Sequence, residues 1–293
     1  GKPDDWIFVD WVDFPMHKRG ALCFEQLLFY WSLEAMLNIT AELYQHTNDE
    51  KEKEQLNDNF CRYKLFYDIL LDKIRQLFFD KKKGAFLHAI EDGKLNPQIT
   101  RFPNMFAIVY GFATSEEAKT ILTNVLLSQE VPPITTPYMR FYELEALCKY
   151  GLQKYVLNTM KAYWGGMLRE GATTFWEKYN PEEQGREHLA MYGRPYGKSL
   201  CHAWGASPIY IIGKHFLGVR PAKPGYEAYE VQPVLGGLKW MQGSVPTPFG
   251  LIHVEMDAHR ISVSSDGGTG TLIVGNRRIT IPPKKTLTIE YKT

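Results

Sequence analysis

The chain has 293 residues, 44% of them hydrophobic, which is enough to build a substantial core and excludes a disordered tail. Its 34 Lys and Arg face 33 Asp and Glu, a net charge of +1, so no global field draws it to nucleic acid or anionic lipid. No apolar run reaches the roughly 18 residues of a membrane span, and no signal-peptide pattern opens the chain. The first residue is Gly1 rather than Met, which reads as a processed or excised segment.

Residues 1–20 lack periodicity and hold the aromatic and acidic stretch DDWIFVDWVDFP, ended by Pro15. Over 22–44, Phe24, Leu27, Leu28, Trp31, Ala35, Ile39 and Leu43 recur at the 3.6-residue period, predicting a helix with that face buried. A polar break, HTNDEKEKE, leads to a second helix over 50–79, whose stripe is Leu56, Phe60, Tyr63, Phe66, Leu70, Ile74 and Leu77. The two form a helical hairpin, and FFDKKKGAF closes it with Gly84 as a turn residue.

Shorter helices are predicted over 100–112, 116–129, 137–150 and 152–164. TSEE supplies an N-cap with acidic first-turn residues, and Gly111, Gly151 and Gly165 are candidate C-caps. VPPITTPYMRFY and the stretch 165–199 interrupt the helices, and long loops on a helical scaffold are where function tends to sit. A last helix is expected over 199–216, with Ser199 as its N-cap and His202 in its first turn.

Past LGVRPAKPGYE the pattern changes, with 220–225 as the turn into a second domain. YEVQPV, KWMQGSVPT, GLIHVEMD, HRISVSS, TGTLIVG, RRITIP and TLTIEYK alternate between Gly, Pro, Asp and Asn punctuation. They predict a small antiparallel β-sandwich over 218–293, after a helical domain over 1–217. Cys23, Cys61, Cys148 and Cys201 are widely spaced, with no CxxC or Cys/His pattern, and read as buried thiols. No metal site and no cofactor are expected.

Paired helices without a tandem repeat favour a closed α/α toroid, whose loops at one end carry the candidates. In GATTFWE, Glu177 beside Trp176 is either a partly desolvated catalytic base or a polar residue closing a loop. In SLCHAWGASP, His202 presents its ring to a ligand hydroxyl or packs beside Trp204. In FVDWVDF, Asp10 binds a pair of sugar hydroxyls while Trp11 offers a stacking face, or the two are ordinary loop residues. Carboxylates, a histidine and tryptophans without metal-type spacing make a carbohydrate-site inventory.

GATTFWE, SLCHAWGASP and LGVRPAKPGYEAYEVQPVLGGLKWMQGSVPTPFGLIHVE resemble, in order and spacing, the C-terminal half of the α-L-rhamnosidases of glycoside hydrolase family 78. The resemblance implies an (α/α)6 toroid followed by a β-sandwich, hydrolysing terminal α-L-rhamnosides with inversion. It implies that Glu177 is the general base and that His202 contacts the bound rhamnose. FVDWV aligns with a family segment reading GDW, with Val9 in place of the glycine before Asp10 and Trp11. The family's general acid lies in an upstream segment ending GWxGD, which has no counterpart here, and the helices amount to about half a toroid.

The expectation is therefore the C-terminal portion of a larger bacterial enzyme, partnered by its own N-terminal portion and acting on a rhamnose-containing glycan or glycoside. A periplasmic or secreted location is favoured over a cytoplasmic one. The rival readings are another (α/α)6 glycosidase, a non-catalytic carbohydrate-binding protein and a helical interaction scaffold.

Overall fold

The computed structural model describes residues 8–291, and the chain divides into two compact units, Gly1–Thr135 and Thr136–Thr293. The DDWI residues that open the aromatic and acidic stretch lie outside the described residues. Among the described residues no helix is long and apolar enough to cross a membrane.

The first unit is built on an antiparallel pair, α1 (Cys23–His46) and α2 (Glu50–Phe78). Asp49 starts α2 by accepting from the Lys51 and Glu52 amides, which would otherwise be orphan donors. The buried face of α1 is Cys23, Phe24, Leu27, Tyr30 and Leu33. Phe24 stacks on Phe106 at 6.2 Å and Tyr30 on Tyr67 at 4.6 Å. The expected stripe is corrected at its far end, because Trp31, Ile39 and Leu43 are about half exposed. In α2 only Ile74 and Phe78 are buried, while Phe66 and Leu77 are half exposed. Periodicity reports an apolar stripe; it does not report whether anything covers it.

Two short hairpins follow that local pattern does not announce, since strands of two or three residues are too short to show alternation. β1 (Ala21–Leu22), β4 (Ala89–Glu91) and β5 (Lys94–Asn96) form one sheet, and β2 (Phe79–Asp80) pairs with β3 (Ala85–Phe86). Gly84 does sit in the turn between β2 and β3, at φ +61°, where a Cβ would come within 2.3 Å of Thr120. Buried His88 links the hairpins to the segment before them: Nδ1 meets Thr100 Oγ1 at 2.9 Å and Nε2 meets the His17 carbonyl at 2.7 Å. Gln98 Nε2 donates to the Pro15 carbonyl at 2.7 Å, and Thr135 Oγ1 donates to that of Trp11 at 2.7 Å. α3 (Arg101–Val109) and α4 (Ser115–Ile121) follow, α4 running on as a π turn over Leu122–Leu126, with Thr114 and Glu117 forming a reciprocal capping box at TSEE.

The second unit opens with α5 (Pro137–Lys149) and α6 (Gln153–Arg169). Gly151, at φ +77°, ends α5 as expected of a C-cap. Gly165 does not end α6, which runs on to Arg169 before Gly171 turns the chain at φ +88°. Gly166, inside that last stretch, lies against the Tyr179 ring, where a Cβ would come within 2.4 Å.

The final helix, α7 (Ser207–Ile211), starts later than expected and continues as a π turn over Ile212–Phe216. Ser199 is therefore no helix cap, and His202 precedes a short 3-10 turn, Ala203–Gly205. Residues 199–202 are held instead by pairing with 174–177, a long-range partner that no local signal announces.

Eight strands follow: β6 (Val219–Pro221), β7 (Ala228–Val231), β8 (Trp240–Thr247), β9 (Gly250–Asp257), β10 (Arg260–Ser265), β11 (Thr269–Val274), β12 (Arg277–Ile281) and β13 (Thr286–Glu290). They form two four-stranded sheets, ordered β13-β10-β9-β8 and β12-β11-β7-β6. β9 shows the alternation plainly, burying Ile252, Val254 and Met256 and exposing the residues between. β6 falls in the stretch expected to be a turn, and it pairs with β7.

β11 runs parallel to β7, a departure from an all-antiparallel domain. The chain leaves the sheet after β7, makes the β8–β9–β10 meander in the other sheet, and re-enters in its original direction. Of the thiols, Cys23 and Cys148 are buried as expected, but Cys61 and Cys201 are exposed, on the outer face of α2 and in the 199–206 loop.

Candidate active site

The loop after α6 folds back so that residues 174–177 lie against 199–202. The Glu177 amide donates to the Ser199 carbonyl at 2.9 Å and the His202 amide to that of Phe175 at 2.8 Å. Thr174 Oγ1 adds a bond to the Leu200 carbonyl. This pairing brings Glu177, His202 and Trp204 together.

Glu177 is 4% exposed, a carboxylate set almost wholly inside the protein. Such a group must be hydrogen-bonded, and it is. Oε2 accepts from the Ser199 amide at 3.0 Å, and Oε1 accepts from the Tyr192 hydroxyl. His202 Nδ1 stands 3.9 Å from Oε2, beyond a hydrogen bond yet close enough to feel its charge. Trp204 Nε1 donates to the Glu177 carbonyl at 2.9 Å, so the indole is tied to the residue whose side chain it flanks.

An aromatic surface continues from there. The His202 and Trp204 rings are 4.3 Å apart, and Tyr138 of α5 stacks on Trp204 at 5.2 Å with planes 11° apart. Gly205 packs directly on the 175–176 segment, where a Cβ would stand 2.9 Å from that of Phe175. The Gly205 carbonyl accepts from Trp164 Nε1 at 2.8 Å.

Trp176 points the other way. It is 5% exposed and lies 5.9 Å from His188, whose ring is stacked against Tyr179. His188 is buried between Glu183 and Glu170, with Nδ1 3.4 Å and Nε2 3.7 Å from their carboxylates. Lys198, also buried, meets Glu183 at 2.9 Å.

Asp10 and Trp11 belong to the first unit. Asp10 is fully buried, its Oδ1 accepting from the Trp11 amide at 2.9 Å, and Trp11 keeps part of its ring accessible, 5.2 Å from Phe8. Among the described residues no three His, Cys, Asp or Glu gather as a metal ion would require.

Two participants carry no signal in the sequence that would single them out. Tyr192 reaches Glu177 across a turn whose only local trace is the Tyr-Gly pair in MYGRPYG, and Ser199 contributes through its backbone, which leaves no side-chain signature. Chemically, the arrangement holds one oriented carboxylate beside an imidazole and an indole, a surface suited to sugar hydroxyls and to the apolar face of a pyranose.

Residues 218–265 match the family model described as the bacterial alpha-L-rhamnosidase C-terminal domain. Among solved structures, the chain is similar to the GH78 family rhamnosidase of Bacillus sp. GL1, with 27% identity and a TM-score of 0.68 over 88% of this chain and 25% of that one. It is also similar to the α-L-rhamnosidase from Dictyoglumus thermophilum, at 18% identity and TM-score 0.62, over 84% of this chain and 26% of that one. A rhamnosidase from Klebsiella oxytoca with rhamnose bound matches at 23% identity and TM-score 0.51, over 72% of this chain and 36% of that one. The last two likenesses speak to the fold. The chain thus spans between 25% and 36% of the length of these enzymes. No curated protein sequence matches it.

Proposed function

We propose that these residues are the C-terminal portion of an inverting glycosidase that removes terminal α-L-rhamnose from glycosides or polysaccharides, with Glu177 as general base. The observation that carries the reading is the Glu177 carboxylate, buried yet held by a donor on each oxygen, beside His202 and Trp204. The likeness to rhamnosidase structures supports the choice of sugar.

In this reading a water bound at Glu177 attacks the anomeric carbon. Its proton passes to the carboxylate, the bond from that carbon to the aglycone oxygen breaks, and the oxygen takes a proton from an acid outside these residues. Inversion needs room for the water, so the two carboxyls stand about 6.5 to 9.5 Å apart in the complete enzyme. His202 and Trp204 orient the sugar. Trp176, buried behind Glu177, backs the wall of the site.

The half-exposed Phe29, Ile39, Leu65, Phe66 and Ile69 of α1 and α2 are the faces that the rest of an (α/α)6 barrel would cover. The strands past Val219 form the sandwich that follows the barrel.

The test is Glu177→Gln in the full-length enzyme with an aryl α-L-rhamnoside. A general base is worth about 100-fold or more, so kcat should fall at least that far, and a fall of less than about tenfold removes the assignment. The first anomer released, followed by NMR, should be β; an α product rules out inversion.

A further inference from the structure

Tyr192 occupies a backbone position that a tyrosine should avoid. It and Gly193 have φ of +56° and +70°, the positive pair that a type I′ turn requires. Met191 and Arg194 close the turn, exchanging amide–carbonyl bonds of 3.0 and 2.9 Å. Asn, Asp or Gly suits the first central position of such a turn, because a larger L side chain there strains the backbone. Burial does not offset that strain, since Tyr192 is 54% exposed.

The rest of the loop leaves the turn little freedom. At Gly197 a Cβ would come within 2.1 Å of the Met191 carbonyl oxygen, and the Lys198 amide ties back to the Leu189 carbonyl at 3.1 Å. What the strained position achieves is a bond to the candidate base: the Tyr192 hydroxyl donates to Glu177 Oε1, on the oxygen that the Ser199 amide does not hold.

We propose that Tyr192 is a positioning residue for Glu177, its strained turn serving to carry a phenol to Oε1 and fix the plane of the carboxylate. With the Tyr192 hydroxyl and the Ser199 amide each on one oxygen, the carboxylate cannot rotate, and its remaining lone pairs keep one direction for the attacking water. The inference rests on the reading of Glu177 as general base and names the device that orients it.

Three variants in the full-length enzyme test it, assayed on an aryl α-L-rhamnoside. Tyr192→Phe keeps the ring and removes the donor, so kcat should fall about 10- to 100-fold with KM within about twofold, as expected when a reacting group is misplaced while substrate binding is intact. Tyr192→Asn suits the turn better, so it should raise the thermal midpoint while lowering kcat to a similar degree. In Glu177→Gln, adding Tyr192→Phe should cost nothing further, because both act through one group.

A tyrosine that merely braces the loop gives other results. Loss of activity in Glu177→Gln with none in Tyr192→Phe overturns the positioning role and leaves the proposed function standing. A further tenfold loss in the double variant overturns it too. A Glu177→Gln enzyme at full rate removes both the function and this inference.

Discussion

Lys198 and Glu183 form an ion pair at 2.9 Å whose two members are not equally wet: the lysine side chain is 1% exposed and the glutamate 26%. The pair closes the loop that carries Tyr192, and its asymmetry gives a prediction. Lys198→Met removes the buried charge and leaves a glutamate that can turn to water, so it should cost less than about 1 kcal/mol. Glu183→Gln leaves an ammonium buried without its counterion and should cost about 2 to 4 kcal/mol. Urea unfolding of both variants measures the order. A costlier lysine variant would mean that the pair is not where the loop's stability lies.

Gly166 gives the second prediction. A glycine inside a helix is usually improved by alanine, by about 0.5 to 1 kcal/mol. Here the new Cβ would come within 2.4 Å of the Tyr179 ring, which stacks on His188 at 5.5 Å and whose amide donates to Tyr163 Oη at 3.0 Å. Overpacking should win, and Gly166→Ala should lose about 1 to 3 kcal/mol. Tyr179→Ala in the same chain removes the clash, so the double variant should be more stable than the sum of the single changes predicts. Strict additivity in that cycle would place the cost of the alanine somewhere other than the ring.

Neither of these pairings can be seen in the local sequence, but much of the fold can. The limits of α2, the capping box at Thr114 and Glu117, and the strands from Trp240 to Glu290 follow from local pattern, because period, caps and turn residues act over a few positions. GATTFWE and CHAWG stand out by composition, and the fold sets Glu177 beside His202.

What stayed hidden depends on distant partners. Residues 199–202 are not helical because 174–177 hold them, Gly166 is glycine because Tyr179 returns to it, and β11 is parallel because a meander in the other sheet intervenes. Trp31 and Ile39 carry the right period and remain half exposed, since a stripe says nothing of its cover.

Glu145 gives a third prediction, on the acid side. Its carboxylate is buried, with His215 Nε2 at 3.0 Å and Lys214 Nζ at 3.1 Å, joining α5 to the π turn after α7. Burial alone would raise its pKa; the hydrogen bonds and charges of His215 and Lys214 outweigh burial and hold it below the ordinary value of 4.5. A depressed carboxylate stabilises the fold above its unfolded pKa, and the contribution fades as pH falls through the folded one. The advantage of the native chain over Glu145→Gln, about 2 to 4 kcal/mol near neutrality, should therefore shrink as pH drops below 4.5. An advantage that holds constant down to about pH 3 would show that the charge is not what matters there.

His88 loses stability with acid by the opposite route, as a buried base that must stay neutral. Burial pushes its pKa down to about 4 from an ordinary 6.5; the bond to the His17 carbonyl works against that shift, and the nearby His17 charge adds to it. The unfolded chain therefore takes up a proton first as pH falls from 6.5. Stability is fully present above that value and is lost progressively until pH reaches the folded value of about 4. The gap amounts to about 3 kcal/mol across that window. His88→Asn keeps a polar side chain and removes the titration. It should start less stable, since it forfeits the bonds to Thr100 and His17, and should then lose less on acidification. Urea titrations of the two proteins between about pH 7 and 4 give the difference in slope directly. Equal slopes would mean that the histidine is protonated as readily in the folded chain as outside it.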